Sequence, residues 1–243
     1  MEKLERWLSM VKTRRLDREY DLMCPVVADE GDGKSTLTLT LTGLWYKQQL
    51  GRDVGPEEIF ARIVWGGRDE FKELAVNSSP KDIIAVPDAA RILYKRDAMD
   101  PEQRELAKDL LDIRTHEYFF LLGFQWWKDI PTMLQERRAK QLLRIPAGQR
   151  GVVHGYSRST LDGKLQMSDP KEWPEPDLVD TFPPLDGTKI WEEYQELDKE
   201  RKRERIKPDD DEPEEEAEVD VHSVADEILS EGLELVTAVH GGN

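Results

Sequence analysis

Apolar positions along this chain fall into two rhythms. Over residues 2–14, Leu4, Trp7, Leu8 and Val11 recur at helical spacing, and Lys12, Arg14 and Arg15 close the segment. The stripe predicts a packed leading helix; the sharper alternative is an arm that contacts DNA. Residues 20–28 read as a strand of mixed apolar character that runs into a glycine loop. From Ser35 to Leu50 the period is ambiguous, because the threonines lower helix propensity and a strand also fits. Ile59 to Trp65 predicts a strand ending at Gly66-Gly67, and Ile83-Ile84-Ala85-Val86 a short buried strand bounded by Pro80 and Pro87.

Further along, Asp100-Pro101-Glu102-Gln103 marks a helix start, with an acidic cap, proline in the first turn and Leu106, Leu110 and Ile113 on the apolar face. Tyr118 to Phe124 is the most strand-like run. Ile130 to Leu143 predicts a helix with Pro131 in its first turn, and Gly151 to Tyr156 another strand. Residues 170–187, rich in proline and acids, predict surface coil, and Trp191 to Ile206 a charged helix. Residues 208–220 read as a disordered acidic linker, and Val221 to Val239 as a short amphipathic helix through Val224, Ile228, Leu235 and Val239. Strands alternating with helices predict an α/β fold with a mostly parallel sheet. The organisation expected is a leading helix (1–19), a core (20–160), a proline-rich wrap with the charged helix (161–207) and an acidic linker with a terminal helix (208–243).

The glycine loop carries the first candidate chemistry. Ala28-Asp29-Glu30-Gly31-Asp32-Gly33-Lys34-Ser35 fits G-x-x-x-x-G-K-[ST], with Ala28 as the small residue where the strand breaks. Such a loop aims the N–H groups of residues 30–35 at a β-phosphate. Lys34 then neutralises the β/γ charge, Ser35 binds Mg²⁺, and Thr36 stands near the α-phosphate. The bland alternative is a polar surface loop with this sequence by chance. Order favours the cradle: strand, glycine loop and helix, then two further apolar strands at Ile83 and Tyr118. ATP and Mg²⁺ are the cofactors it implies.

Charge changes the picture only at one end. The net charge is −16, but thirteen of the 51 acids and none of the 35 Lys and Arg lie in residues 209–243. The rest of the chain is close to neutral, so its acidity does not argue against a nucleic-acid partner. The tail instead suggests a protein partner. One cysteine, Cys24, excludes a disulfide framework, and four scattered histidines argue against a histidine metal site. No run approaches the roughly 20 apolar residues needed to span a bilayer. The expected location is cytoplasmic, inside a host cell, or on a virion.

The stretch IIAVPDAARILYKRDAMDPEQRELAKDLLDIRTHEYFFLLGFQ, residues 83–125, resembles the P-loop ATPases of mobile genetic elements. This group includes FtsK/HerA-type DNA translocases, with Zot-like proteins and viral packaging ATPases near them. The resemblance covers roughly residues 20–160 and is carried most by Arg96-Asp97-Ala98-Met99, the helix ending in Ile113-Arg114, and the strand ending at Gln125. It implies a RecA-like domain that binds Mg·ATP, forms a homo-oligomer and moves or packages DNA for a virus or plasmid. It makes Gln125 a γ-phosphate sensor, against the plainer reading of a strand cap. It makes Arg114 a residue that reaches a neighbouring subunit's nucleotide, against a solvated helix end favoured by the dipole. Trp126-Trp127 read as core or as a subunit plug, and Arg137, Arg138, Lys140 and Arg144 as a basic helix facing DNA or only water.

One departure matters. The group carries Asp-Glu at the end of the second apolar strand, where this chain has Pro87 and Asp88. Asp88 is then the single carboxylate available both to the metal and to water. The expectation is ATP binding with slow turnover. The rival from another class is a nucleotide-bound assembly or adaptor protein that recruits partners through its acidic tail. A small-molecule kinase lacks any evident lid or acceptor site.

Overall fold

Leu22–Val27 forms β1, and all six of its residues are buried. Alternate side chains enter different cores: Leu22, Cys24 and Val26 join one cluster, Met23 and Val27 the other. A strand apolar on both faces needs helices on both sides of its sheet. The computed structural model describes residues 1–93, 116–169 and 171–206. The helix expected at 100–113, the Arg96–Met99 stretch, Arg114 and the acidic tail lie outside these residues.

Among the described residues the sheet has six strands: β1, β2 (Ile83–Val86), β3 (Phe119–Phe124), β4 (Gln141–Arg144), β5 (Val152–Ser157) and β6 (Leu178–Thr181). Their spatial order is β2-β3-β1-β4-β5-β6. β1 pairs in parallel with β3 and β4, and β2 in parallel with β3. Only β5 runs against the rest, pairing antiparallel with β4 and β6. The mostly parallel α/β sheet expected from the sequence is therefore present. The chain places β2 and β3 on one side of β1 and then crosses to β4 on the other, so β1 ends at a topological switch point. Ligands of open parallel sheets bind at such points, beyond the carboxyl ends of the strands.

Among the described residues, six α-helices pack around this sheet: α1 (Glu2–Arg14), α2 (Lys34–Leu44), α3 (Pro56–Phe60), α4 (Arg68–Asn77), α5 (Arg158–Gln166) and α6 (Lys189–Ile206). The stripe predicted for α1 is buried, and its Trp7 meets Phe119 edge-on at 5.9 Å. Asp180 on β6 accepts the Leu4 N–H at 2.9 Å, satisfying one of the free donors of the first turn. In α2 the threonines fold as helix because their hydroxyls bond back one turn: Thr38 to Lys34 O at 3.0 Å and Thr42 to Thr38 O at 2.9 Å. Leu37, Leu39 and Leu41 are buried as well, along with Thr36, Thr38 and Thr42, so α2 is a central helix buried on most sides.

Three expectations are corrected. Ile59–Trp65 is not a strand: Pro56 opens α3 and Glu58 accepts the Gly55 N–H at 3.0 Å, a helix start that overrides the apolar run. Only Ile63 reaches the sheet, as a single bridge to Ala85. The helix expected over Ile130–Leu143 is one turn, Leu134–Arg138, followed by β4. There, Leu143 pairs beside Val26 and the Ile145 N–H bonds Val27 O at 2.9 Å, so filling the open edge of β1 outweighs helix continuation. Within the expected coil of 170–187, Leu178–Thr181 forms β6 at the sheet edge, with Pro176 and Pro183 flanking it where no ladder N–H is required.

Cys24 has no exposed surface, and burial raises its thiol well above the ordinary range. Thiol reagents should therefore modify the native protein far more slowly than the unfolded chain. Equal rates with and without denaturant would show that β1 is not the central strand.

Candidate phosphate-binding site

Residues 28–33 leave β1 and turn directly into α2. Two positions need glycine: Gly31 has φ +84° and Gly33 φ +99°, the left-handed region where side chains are strained. A Cβ on Gly33 would also meet Arg150 Cγ at 3.4 Å and the Phe182 ring at 3.7 Å. Asp29 O accepts the Asp32 N–H at 3.3 Å, and Asp32 in turn accepts the Gly148 N–H at 3.2 Å, tying the loop to the turn between β4 and β5.

The loop forms one wall of a cavity of about 410 Å³. Asp29, Glu30, Gly31, Gly33, Lys34, Ser35 and Thr36 line it; Ala28 is buried at the end of β1, and Asp32 faces the Gly148 turn. Lys34 Nζ has no hydrogen-bond or ion-pair partner among the described residues. Burial holds its ammonium below the usual lysine range, opposed by the charges of Asp88, Glu30, Asp29 and Asp129. The Thr36 side chain is 1% exposed, and its hydroxyl has no hydrogen-bond partner among the described residues. An orphaned buried hydroxyl beside an underpaired cation at a helix N-terminus fits an anionic ligand with several acceptor oxygens.

The ends of β2 and β3 reach the same cavity. Pro87, Asp88 and Gln125 line it. Asp88 is about half exposed and accepts from Arg91 Nε at 2.5 Å. Gln125, exposed, stands just past β3, with a second cavity of about 250 Å³ shared with Trp126, Trp127 and Trp173 beyond it. β3 comes close to Pro87 because residue 123 is glycine: a Cβ there would lie 2.0 Å from Pro87 O. Of the sequence candidates, the structure gathers Asp29, Glu30, Gly31, Gly33, Lys34, Ser35, Thr36, Asp88 and Gln125 around one space, and leaves Ala28 and Asp32 outside it. Arg114 is outside the described residues.

The basic run does not form one helical face. Arg138 pairs with Asp21. Arg144 lies on β4, its guanidinium 4.8 Å from the Trp173 ring centroid. Lys140 is held below the usual lysine range by burial and by the neighbouring Arg158 and Arg15. Trp127 is core, edge-on to Trp173 at 5.9 Å, whereas Trp126 is exposed.

Sequence reasoning missed the opposite wall, which is α6. Trp191, Tyr194, Gln195, Asp198 and Arg205 line the cavity from there. Tyr194 donates to Ser35 Oγ at 3.0 Å, and burial pushes its phenol up to about 12, offset by that bond and reinforced by Asp198 and Asp88. Its ring stacks on Trp191 at 5.4 Å and lies 5.1 Å from Trp65. Arg205 bonds the Trp65 carbonyl. Two aromatics three residues apart on an otherwise charged helix were the available signal.

No protein-family model matches the chain, and no curated protein matches it. A crystal structure of the N-terminal domain of zonular occludens toxin from Neisseria meningitidis is similar at 12% identity with a TM-score of 0.40, covering 71% of this chain and 98% of that one. At that distance the similarity assigns neither a family nor an activity.

Proposed function

We propose that this chain binds Mg·ATP at the loop between β1 and α2 and hydrolyses it slowly, in the service of DNA translocation or packaging for a virus or plasmid. The observation that carries nucleotide binding is the joining of two left-handed glycines, an underpaired Lys34 and an orphaned Thr36 hydroxyl at the switch point of a parallel sheet. Backbone N–H groups of residues 30–35 would hold the β-phosphate, Lys34 the β/γ oxygens and Ser35 the metal. Bound Mg²⁺ would neutralise charge developing on the phosphates. Asp88 would orient water and Gln125 would sense the terminal phosphate. The DNA and homo-oligomer parts rest on the resemblance of residues 83–125, as does a role for Arg114 in trans.

The adaptor reading has one specific observation in its favour. Asp88 is engaged by Arg91, and β2 ends in Pro87 where a second carboxylate would be. From the end of β2, Asp88 cannot readily both order the metal's water shell and accept a proton from the attacking water, since these lie in different directions, and Arg91 already holds it. Wild-type turnover should therefore be slow. Asp88→Asn should lower it by about 100-fold, the scale of a lost general base, while ATP affinity stays within a few-fold. Pro87→Asp should raise it. Steady-state phosphate release at saturating Mg·ATP checks both, and vigorous turnover that survives Asp88→Asn would place the acid elsewhere. Added DNA separates the two functions: a translocase is stimulated, an adaptor is not.

A further inference from the structure

Pro87 offers the metal side of the site no polar side chain, yet Ser35 is not left without a partner. We propose that α6 completes this half of the site: Tyr194 positions the Ser35 hydroxyl, and Asp198 supplies the carboxylate that Pro87 cannot. The inference rests on the reading of the loop as a Mg·nucleotide site.

Tyr194 is 5% exposed, and Trp191, Trp65 and Phe60 fix its ring, so its contact with Ser35 is a built one. Two hydroxyls can exchange donor and acceptor roles. When Ser35 donates to Tyr194, the serine lone pairs are free for a cation.

Asp198 follows Tyr194 by four residues, which puts both on one face of α6, and both line the cavity. Asp88, at the end of β2, lines the same cavity as Ser35 and Asp198. Asp198 Oδ2 accepts from Lys202 at 2.7 Å, but that pair is largely solvent-exposed on the lysine side, and such pairs are worth little and exchange readily. Mg²⁺ keeps several waters and is commonly held by one or two carboxylates plus phosphate oxygens. A carboxylate reaching the water shell from α6 meets that requirement. The buried, unpartnered Thr36 hydroxyl on the same cavity points independently to a ligand there.

The plain alternative is that Tyr194 and Asp198 only pack α6 in place. Equilibrium binding of a fluorescent ATP analogue to the full chain, in Mg²⁺ and in EDTA, separates the two. The readout is the ratio of the two affinities. In Asp198→Asn and in Tyr194→Phe, which keeps the ring, the Mg²⁺-dependent gain should fall by about tenfold, the lower range for a lost outer-shell partner, with EDTA affinity within a few-fold. Pro87→Asp combined with Asp198→Asn should restore most of it. A wild-type ratio in both single variants overturns the proposal, and so does a larger ratio, which would mean that α6 hinders the metal. Binding in EDTA that Lys34→Ala leaves unchanged overturns the nucleotide-site reading itself, a different result from a lost ratio.

Discussion

Gly123→Ala is expected to destabilise the fold more than any other single methyl added to the sheet. The new Cβ would lie 2.0 Å from Pro87 O and 2.6 Å from Pro87 C, backbone atoms that cannot swing aside. β3 sits between β1 and β2 with its residues buried, so it cannot shift without breaking pairing on both edges. Overpacking against backbone in such a place costs about 3 kcal/mol or more. For a unit of this size that lowers the melting temperature by roughly 6–12 °C. Because the displaced atoms lead straight into Asp88, nucleotide affinity should fall as well. Thermal unfolding followed by circular dichroism reads the effect, and a melting temperature within about 2 °C of wild type would mean that β2 and β3 are not packed this closely.

Lys34→Ala should do the reverse, sparing the fold and removing the ligand. A lysine whose folded-state pKa lies below its unfolded value costs stability at neutral pH. The cost shrinks as pH rises through the folded value toward the unfolded one. Deleting the ammonium removes that cost, so the melting temperature at pH 7 should hold or rise. Binding behaves otherwise. Losing a charge-assisted bond to phosphate costs about 1.5–3 kcal/mol, or roughly 10- to 150-fold in affinity. Unchanged affinity for a fluorescent ATP analogue would remove the phosphate cradle.

The loop and the central strands were legible because each announces itself locally. Gly31, Gly33, Lys34 and Ser35 fall within five consecutive residues, β1, β2 and β3 are short apolar runs, and Pro87 directly follows β2 as Gly151 directly precedes β5. β4 was not legible. Leu142 and Leu143 suit a helix as well as a strand, and only the unpaired edge of β1, brought there by the fold, decides between them. The short α3 hid inside an apolar run for the same reason. α4 and α5 bury few apolar residues and leave a faint periodicity. The site divides the same way: the loop is read from its own sequence between a strand and a helix, and Asp88 and Gln125 from the resemblance of residues 83–125, whereas Tyr194 stands 159 residues from its partner Ser35. Nothing local to either residue links them.

The most direct measurement of the central claim is a crystal structure of the full chain grown with Mg²⁺ and a non-hydrolysable ATP analogue. The account predicts the triphosphate over the N–H groups of residues 30–35, with Lys34 at its β/γ oxygens, Thr36 bonded near the α-phosphate, and the cation between Ser35 and the Tyr194–Asp198 face of α6. Triphosphate bound elsewhere on the sheet, or a loop that stays empty at saturating nucleotide, would contradict it.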